Sequence, residues 1–153
     1  MKIILTNMCM IHNLETNKVL VLDKIKKEGW EGLTFPGGHV EKIESLTDSC
    51  VREIKEETNL CINNLELKGS IQWYNLDNDE RILGLLYYTN TFSGKLIENN
   101  KEGRLSWENL DEFIEMKDKS NSMDDIMKIY MGKYKEVIGY YRESELVNIE
   151  YKK

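Results

Sequence analysis

Residues Gly37–Leu60 read GGHVEKIESLTDSCVREIKEETNL. From Leu46 onward the apolar residues Leu46, Cys50, Val51 and Ile54 recur at helical intervals. With Leu46 at zero and about 100° per residue, Cys50, Ile54 and Val51 fall at roughly 40°, 80° and 140°. On the same count Glu57, Glu53 and Glu56 fall at roughly 20°, 340° and 280°. An apolar stripe therefore docks one side of the helix, and three glutamates line the adjoining edge. Ser45, with Asp48 three residues on, makes a capping-box-like start, and Asn59 tolerates the left-handed conformation that ends a helix. Carboxylates at these spacings repel by roughly 0.2–0.5 kcal/mol per pair, so the cluster is mildly unfavourable without a nearby cation. Hard oxygen ligands of this kind suit Mg²⁺, which binds a few carboxylates together with substrate phosphates. A solvated acidic face is the competing account of three glutamates taken alone.

Outward from the helix, residues 2–11 and 18–23 are β-rich runs separated by a polar turn. Residues 24–43 read as loop, with Gly29, Gly32 and Phe35-Pro36-Gly37-Gly38. Beyond the helix, 61–74 and 81–92 read as strands joined by a turn at 75–79. A short strand at 104–107 leads to a helical turn at 109–113, and a further helix spans Met123 to about Met131. The chain closes on a hairpin, 136–142 and 145–151. Nothing marks a second domain, so residues 1–153 read as one.

Composition narrows the class. The chain has 153 residues, 41% hydrophobic and 31% charged, with a net charge of −6, which gives no basic face for a nucleic-acid polymer. Three cysteines without CxxC spacing form neither a zinc site nor a disulfide framework and suit a reducing compartment. No apolar run is long enough for a membrane span, and no clean signal segment opens the chain, so the expectation is cytoplasmic. His12 and His39 lack metal-ligand spacing.

Gly38, then Glu44 after five residues, then Arg52-Glu53-Ile54 after seven more, then Glu56-Glu57 and Leu60, resembles the Nudix box, G-x5-E-x7-R-E-U-x-E-E-x-G-U with U a bulky aliphatic. Asn59 stands where the box has its second glycine; asparagine is the next best residue for that helix cap, and no ligand is lost. The resemblance implies an α/β (α+β) fold, an α/β/α sandwich with a mixed sheet between helices. It also implies a hydrolase that cuts a phosphoric anhydride in a small nucleotide with the help of Mg²⁺, or Mn²⁺ as the alternative ion. Glu53, Glu56 and Glu57 look like the metal carboxylates, helped by the Gly37 carbonyl. Arg52 looks like the residue that orients a glutamate. Glu44 looks like its structural partner or an outer ligand. Gly37 and Gly38 are expected to let the backbone turn sharply beside the metal. For the general base, Glu53 and Glu102 are both candidates, Glu102 being equally explained as an exposed loop charge.

The layout is similar to the MutT-type 8-oxo-dGTP diphosphatases, through Trp30-Glu31-Gly32, the late helix and the terminal hairpin. That likeness implies an acidic pair, Asp124-Asp125, reading an oxidised purine, although two aspartates there also suit a helix start. Glu31 falls where base recognition is expected. Trp30, Trp73, Tyr74 and Trp107 are candidates for stacking on a base, with Trp107 the readiest to explain as core, and Lys24 for reaching a phosphate. The alternatives are another nucleoside triphosphate, a nucleotide sugar, a dinucleoside polyphosphate, a capped RNA end, or a binding module without turnover. All four box glutamates are present, which weighs against the last. Oligomeric state has no signal in the sequence.

Overall fold

The computed structural model describes residues 1–25 and 29–153. Its framework is a mixed sheet with helices on both faces, the expected α/β/α sandwich. Strand β1 (Lys2–Asn13) turns into β2 (Lys18–Lys24), and β3 (Gly32–Thr34) and β4 (Gly37–His39) follow. After α1 (Leu46–Thr58) come β5 (Cys61–Asn63), β6 (Glu66–Asn75), β7 (Glu80–Thr89), β8 (Thr91–Ser93), β9 (Asn99–Asn100) and β10 (Gly103–Asn109). Helices α2 (Leu110–Glu115) and α3 (Met123–Tyr130) then lead to the hairpin β11 (Glu136–Arg142) and β12 (Glu145–Lys152).

The strand order is β12-β11-β6-β7-β1-β2-β10-β9, with β1 parallel to β7 and β6 parallel to β11. Period-two alternation sorts the side chains. Cys9 and Ile11 of β1, Leu20 and Leu22 of β2, and Leu85 and Tyr87 of β7 pack under Cys50 and Ile54 of α1. Met10, Val19, Val21, Ile71 and Leu86 face the other way, onto Phe113 of α2 and Met123, Ile126 and Ile129 of α3. Cys9 and Cys50 are buried free thiols. No described helix is long and apolar enough to cross a membrane.

A break in the sheet makes room for the site. β1 and β2 pair only beside their turn, at His12–Val19 and Asn13–Lys18. Further on, β2 pairs with β10 and β3, and β4 takes the vacated edge of β1 at Thr6–Met8. A cleft opens where the two halves part.

Four readings are corrected. The loop at 24–43 contains β3 and β4, three-residue strands too short and glycine-rich to pattern; its residues 26–28 lie outside those described. The run at 61–74 is two strands, because Asn64 adopts φ 53° and turns the chain. The run at 81–92 divides at Asn90, where β8 leaves to pair with β5 in a separate ribbon. Leu46, counted in the apolar stripe, is 39% exposed, while Ser49 and Thr58 are fully buried.

Candidate active site

Helix α1 forms as its ends dictate. The Asp48 N–H donates to Ser45 Oγ at 2.9 Å, and Asn59 closes the helix at φ 68° with its N–H on the Lys55 carbonyl. Burial of Cys50 and Ile54 fixes its rotation and lays the glutamate edge beside β4.

Arg52 is the hub of that edge. Its Nε donates to Glu44 Oε2 at 2.9 Å and its Nη2 to Glu44 Oε1 at 2.7 Å, a bidentate pair. Nη1 donates to Glu53 Oε1 at 3.0 Å and Glu56 Oε2 at 3.1 Å, and Nη2 also reaches the His39 carbonyl at 3.1 Å. The Arg52 hydrogen bond, joined by the Glu41 N–H, holds the Glu44 carboxyl down at about 2. In turn Glu44 keeps the guanidinium firmly protonated.

Strand β4 presses against this group. A Cβ on Gly38 would lie 2.2 Å from the Glu53 carboxylate, and one on Gly37 would lie 2.1 Å from the Asn7 carbonyl oxygen. These glycines are needed for close approach within a strand, which corrects the expectation of a sharp turn. Asn7, buried in β1, locks the arrangement. Its Oδ1 accepts from the Gly38 N–H at 3.1 Å and its Nδ2 donates to Ser49 Oγ of α1 at 3.0 Å.

Glu57 is tied to the opposite wall. Asn100 Nδ2 donates to Glu57 Oε2 at 3.1 Å and to the Glu57 carbonyl at 2.9 Å, while Asn100 Oδ1 accepts from the N–H groups of Glu102 and Gly103. Glu102 is thereby brought into the electrostatic reach of Glu57. Burial first, then repulsion by Glu102, Glu53 and Glu56, raises the Glu57 carboxyl above its ordinary value. Hard oxygen donors, mutual repulsion and a backbone shorn of side chains suit a hydrated divalent cation. Among the described residues no three acidic, histidine or cysteine side chains already converge as a closed cage. Such an ion would draw Glu56, 57% exposed, from Arg52 and complete its shell with water and phosphate oxygens.

Alongside runs a cavity of about 250 Å³, with Gly37, Gly38, Lys24 and Glu102 in its lining and Met123 and Ile126 of α3 forming apolar wall. Trp30 and Trp73, edge to face at 5.2 Å, together with Asn121, separate it from a second cleft of about 270 Å³. Trp73 Nε1 donates to Ser122 Oγ at 2.9 Å, and Asn121 Nδ2 to the Gly29 carbonyl at 3.0 Å.

Three expected base readers are placed elsewhere. Asp124 is 81% exposed and pairs with Lys119 Nζ at 3.2 Å. Asp125 accepts from the Tyr151 hydroxyl at 2.6 Å and pairs with Lys128 at 3.4 Å. Glu31 is exposed, and none of the three lines the cavity. Both aspartates are taken up by basic and phenolic neighbours. Trp107 packs on Phe92 at 5.2 Å in the α1-side core. Asn7, Asn100 and Asn121 escaped the sequence reading because a lone asparagine has no periodic signature. The polar run Ser120-Asn121-Ser122 just ahead of α3 was the available signal.

Known proteins share the sequence pattern and the fold. The NUDIX domain model matches residues 5–128. An uncharacterised Nudix hydrolase of Bacillus subtilis, YvcI, is 32% identical over 99 residues, 63% of this chain and 61% of that protein. The mRNA-decapping protein D10 of fowlpox virus is 34% identical over 71 residues, 42% of this chain and 32% of its own length. The chain thus spans about three fifths and one third of these two relatives. The mutator MutT protein of Bacillus halodurans superposes with a TM-score of 0.79 at 23% identity, covering 97% of both chains. The Nudix domain of Shewanella oneidensis NrtR, solved with ADP-ribose, gives 0.66 at 14% identity over 86% of this chain and 87% of that one. With its box on α1, its mixed sheet between helices and a family model matching most of its length, this chain belongs to the Nudix family.

Proposed function

We propose that the protein is a divalent-metal-dependent pyrophosphohydrolase that converts a purine nucleoside triphosphate, 8-oxo-dGTP foremost, to the monophosphate and pyrophosphate. The observation that carries the reading is the juxtaposition of the Arg52-centred glutamates with a cavity of nucleobase scale. Glu53, Glu56 and Glu57, with the Gly37 carbonyl, would hold Mg²⁺ or Mn²⁺. When bound, the ion neutralises phosphate charge and lowers the pKa of an attacking water.

The chain's own residues do the rest. Arg52, fixed by Glu44, sets the orientation of Glu53. Glu102, held beside Glu57 through Asn100, would take the water's proton, with Glu53 the other candidate. Lys24 offers a cation to the phosphates, while Trp30 and Trp73 offer aromatic faces to the base. Asn121 gives one N–H to Gly29, leaving its other N–H and its carbonyl oxygen for a base edge. That amide stands in for the acidic pair expected from the sequence.

A second reading has one observation of its own. The cleft beyond Trp30 and Trp73 would receive a further group on the substrate, which favours a nucleotide sugar such as ADP-ribose or a dinucleoside polyphosphate.

The test is hydrolysis of 8-oxo-dGTP, dGTP, ADP-ribose, a nucleotide sugar and a dinucleoside tetraphosphate, with Mg²⁺ and with EDTA, by the wild type and Glu57→Gln. Metal-dependent pyrophosphate release, greatest from 8-oxo-dGTP and reduced by about two orders of magnitude or more in E57Q, supports the first reading. Preference for ADP-ribose supports the second. Full activity of E57Q in saturating Mg²⁺ refutes both.

A further inference from the structure

Helix α2 ends without a basic residue in its last turn, so its C-terminal carbonyls lack the positive charge that usually offsets them. Lys119 supplies it from outside the helix. Its Nζ donates to the carbonyls of Phe113 at 3.3 Å, Ile114 at 2.8 Å and Met116, and pairs with Asp124 at 3.2 Å. The side chain is only 5% exposed and its ammonium lies 5.8 Å from the centre of the Phe113 ring. Three N–H groups facing four oxygens leave no donor unused.

The backbone of the same residue is pinned to β3. Lys119 bridges Leu33 in parallel, the Leu33 N–H donates to the Asp118 carbonyl at 3.0 Å, and the Ser120 N–H donates to the Leu33 carbonyl at 2.9 Å. Approach is so tight that a Cβ on Gly32 would fall 2.7 Å from the Asp118 carbonyl oxygen. Ser120 and Asn121, which line the cavity, follow directly. Chain continuity through Phe35 carries the same β3 segment to Gly37.

We infer that Lys119 is a positioning residue for base discrimination: it clamps residues 118–122 between the end of α2 and β3, and so fixes where the Asn121 amide meets the base. The inference rests on the reading of this cavity as a base site. Its effect is on recognition, because the Lys119 side chain meets the end of α2 and Asp124 and none of the box glutamates.

The test compares wild type, Lys119→Met, Asn121→Ala and the double variant, each for kcat and KM on a purine triphosphate and on dTTP, with melting temperature alongside. K119M is expected to raise KM for the purine nucleotide by roughly tenfold with a far smaller change in kcat. It should also reduce the purine-to-dTTP ratio of kcat/KM about as far as N121A does. In the double variant the ratio is expected to fall no further than in N121A, since both act on one contact. A lower melting temperature with the wild-type ratio would make Lys119 a helix cap only and overturn the inference. An unchanged ratio in N121A would remove the base-site reading itself, and the inference with it. Should K119M fail to fold, Lys119→Arg takes its place. It keeps the charge but spreads the donors over a flat fork, so a reduced ratio at near wild-type melting temperature supports the clamp, and a wild-type ratio overturns it.

Discussion

Adjacent glycines at 37 and 38 offer the sharpest contrast between fold and chemistry. A methyl group at 38 meets the end of the Glu53 side chain, which can swing aside. Gly38→Ala is therefore expected to fold with little change in melting temperature and to lose most activity, because Glu53 is displaced. A methyl group at 37 meets the Asn7 backbone, which cannot yield without parting β4 from β1. Gly37→Ala is expected to lose about 1–3 kcal/mol of stability in urea unfolding. The Arg52–Glu44 pair makes a pH prediction. Its carboxyl lies at about 2 in the folded chain against 4.5 for a free one, so its contribution is complete above 4.5 and disappears as pH falls towards 2. The urea midpoints of wild type and Glu44→Gln should differ steadily from pH 7 to 5 and converge between 4.5 and 2. At this scale the box residues were legible because their spacing is a pattern. Asn7, Asn100 and Asn121 were not, since each acts through side-chain hydrogen bonds to residues distant in sequence.

Among the elements, α1 announced itself by period, start and stop, and its end is testable. Asn59 sits at φ 68°, donates Nδ2 to the Lys95 carbonyl at 2.9 Å and accepts from Lys55 at 3.1 Å. Asn59→Ala, keeping a Cβ in the left-handed region and losing both bonds, should cost about 1–2 kcal/mol by chemical denaturation. Asn59→Gly should cost less, since glycine adopts that conformation freely. β1, β2, α3 and the terminal hairpin were equally readable, each being long enough for a β-rich run or a helical repeat to show. β3, β4 and β9 were not, because two or three residues carry no period and their pairing is set by remote partners.

For the whole molecule, the sandwich was expected from the box and not from the periodicity, which ordered the elements but, beyond the terminal hairpin, could not pair them. The parting of β1 from β2, which opens the cleft, has no local signal at all. A native state that collects repelling carboxylates should gain on metal binding. Adding Mg²⁺ or Mn²⁺ at about a hundred times its Kd should raise the melting temperature by roughly 5–10 °C, an increase absent with EDTA and diminished in Glu57→Gln. The parallel ladder from Lys2–Glu80 to Ile11–Thr89 bears on how the chain reaches this state. On a ribosome, the first strand leaves the exit tunnel long before its central neighbour has been translated. Cys9 and Ile11 can then meet only β2 and α1 until their ladder partners Tyr87 and Thr89 have been made. Closure of so large a loop is slow, and a chaperone that shields the nascent β1 segment would be felt first in the yield of this protein.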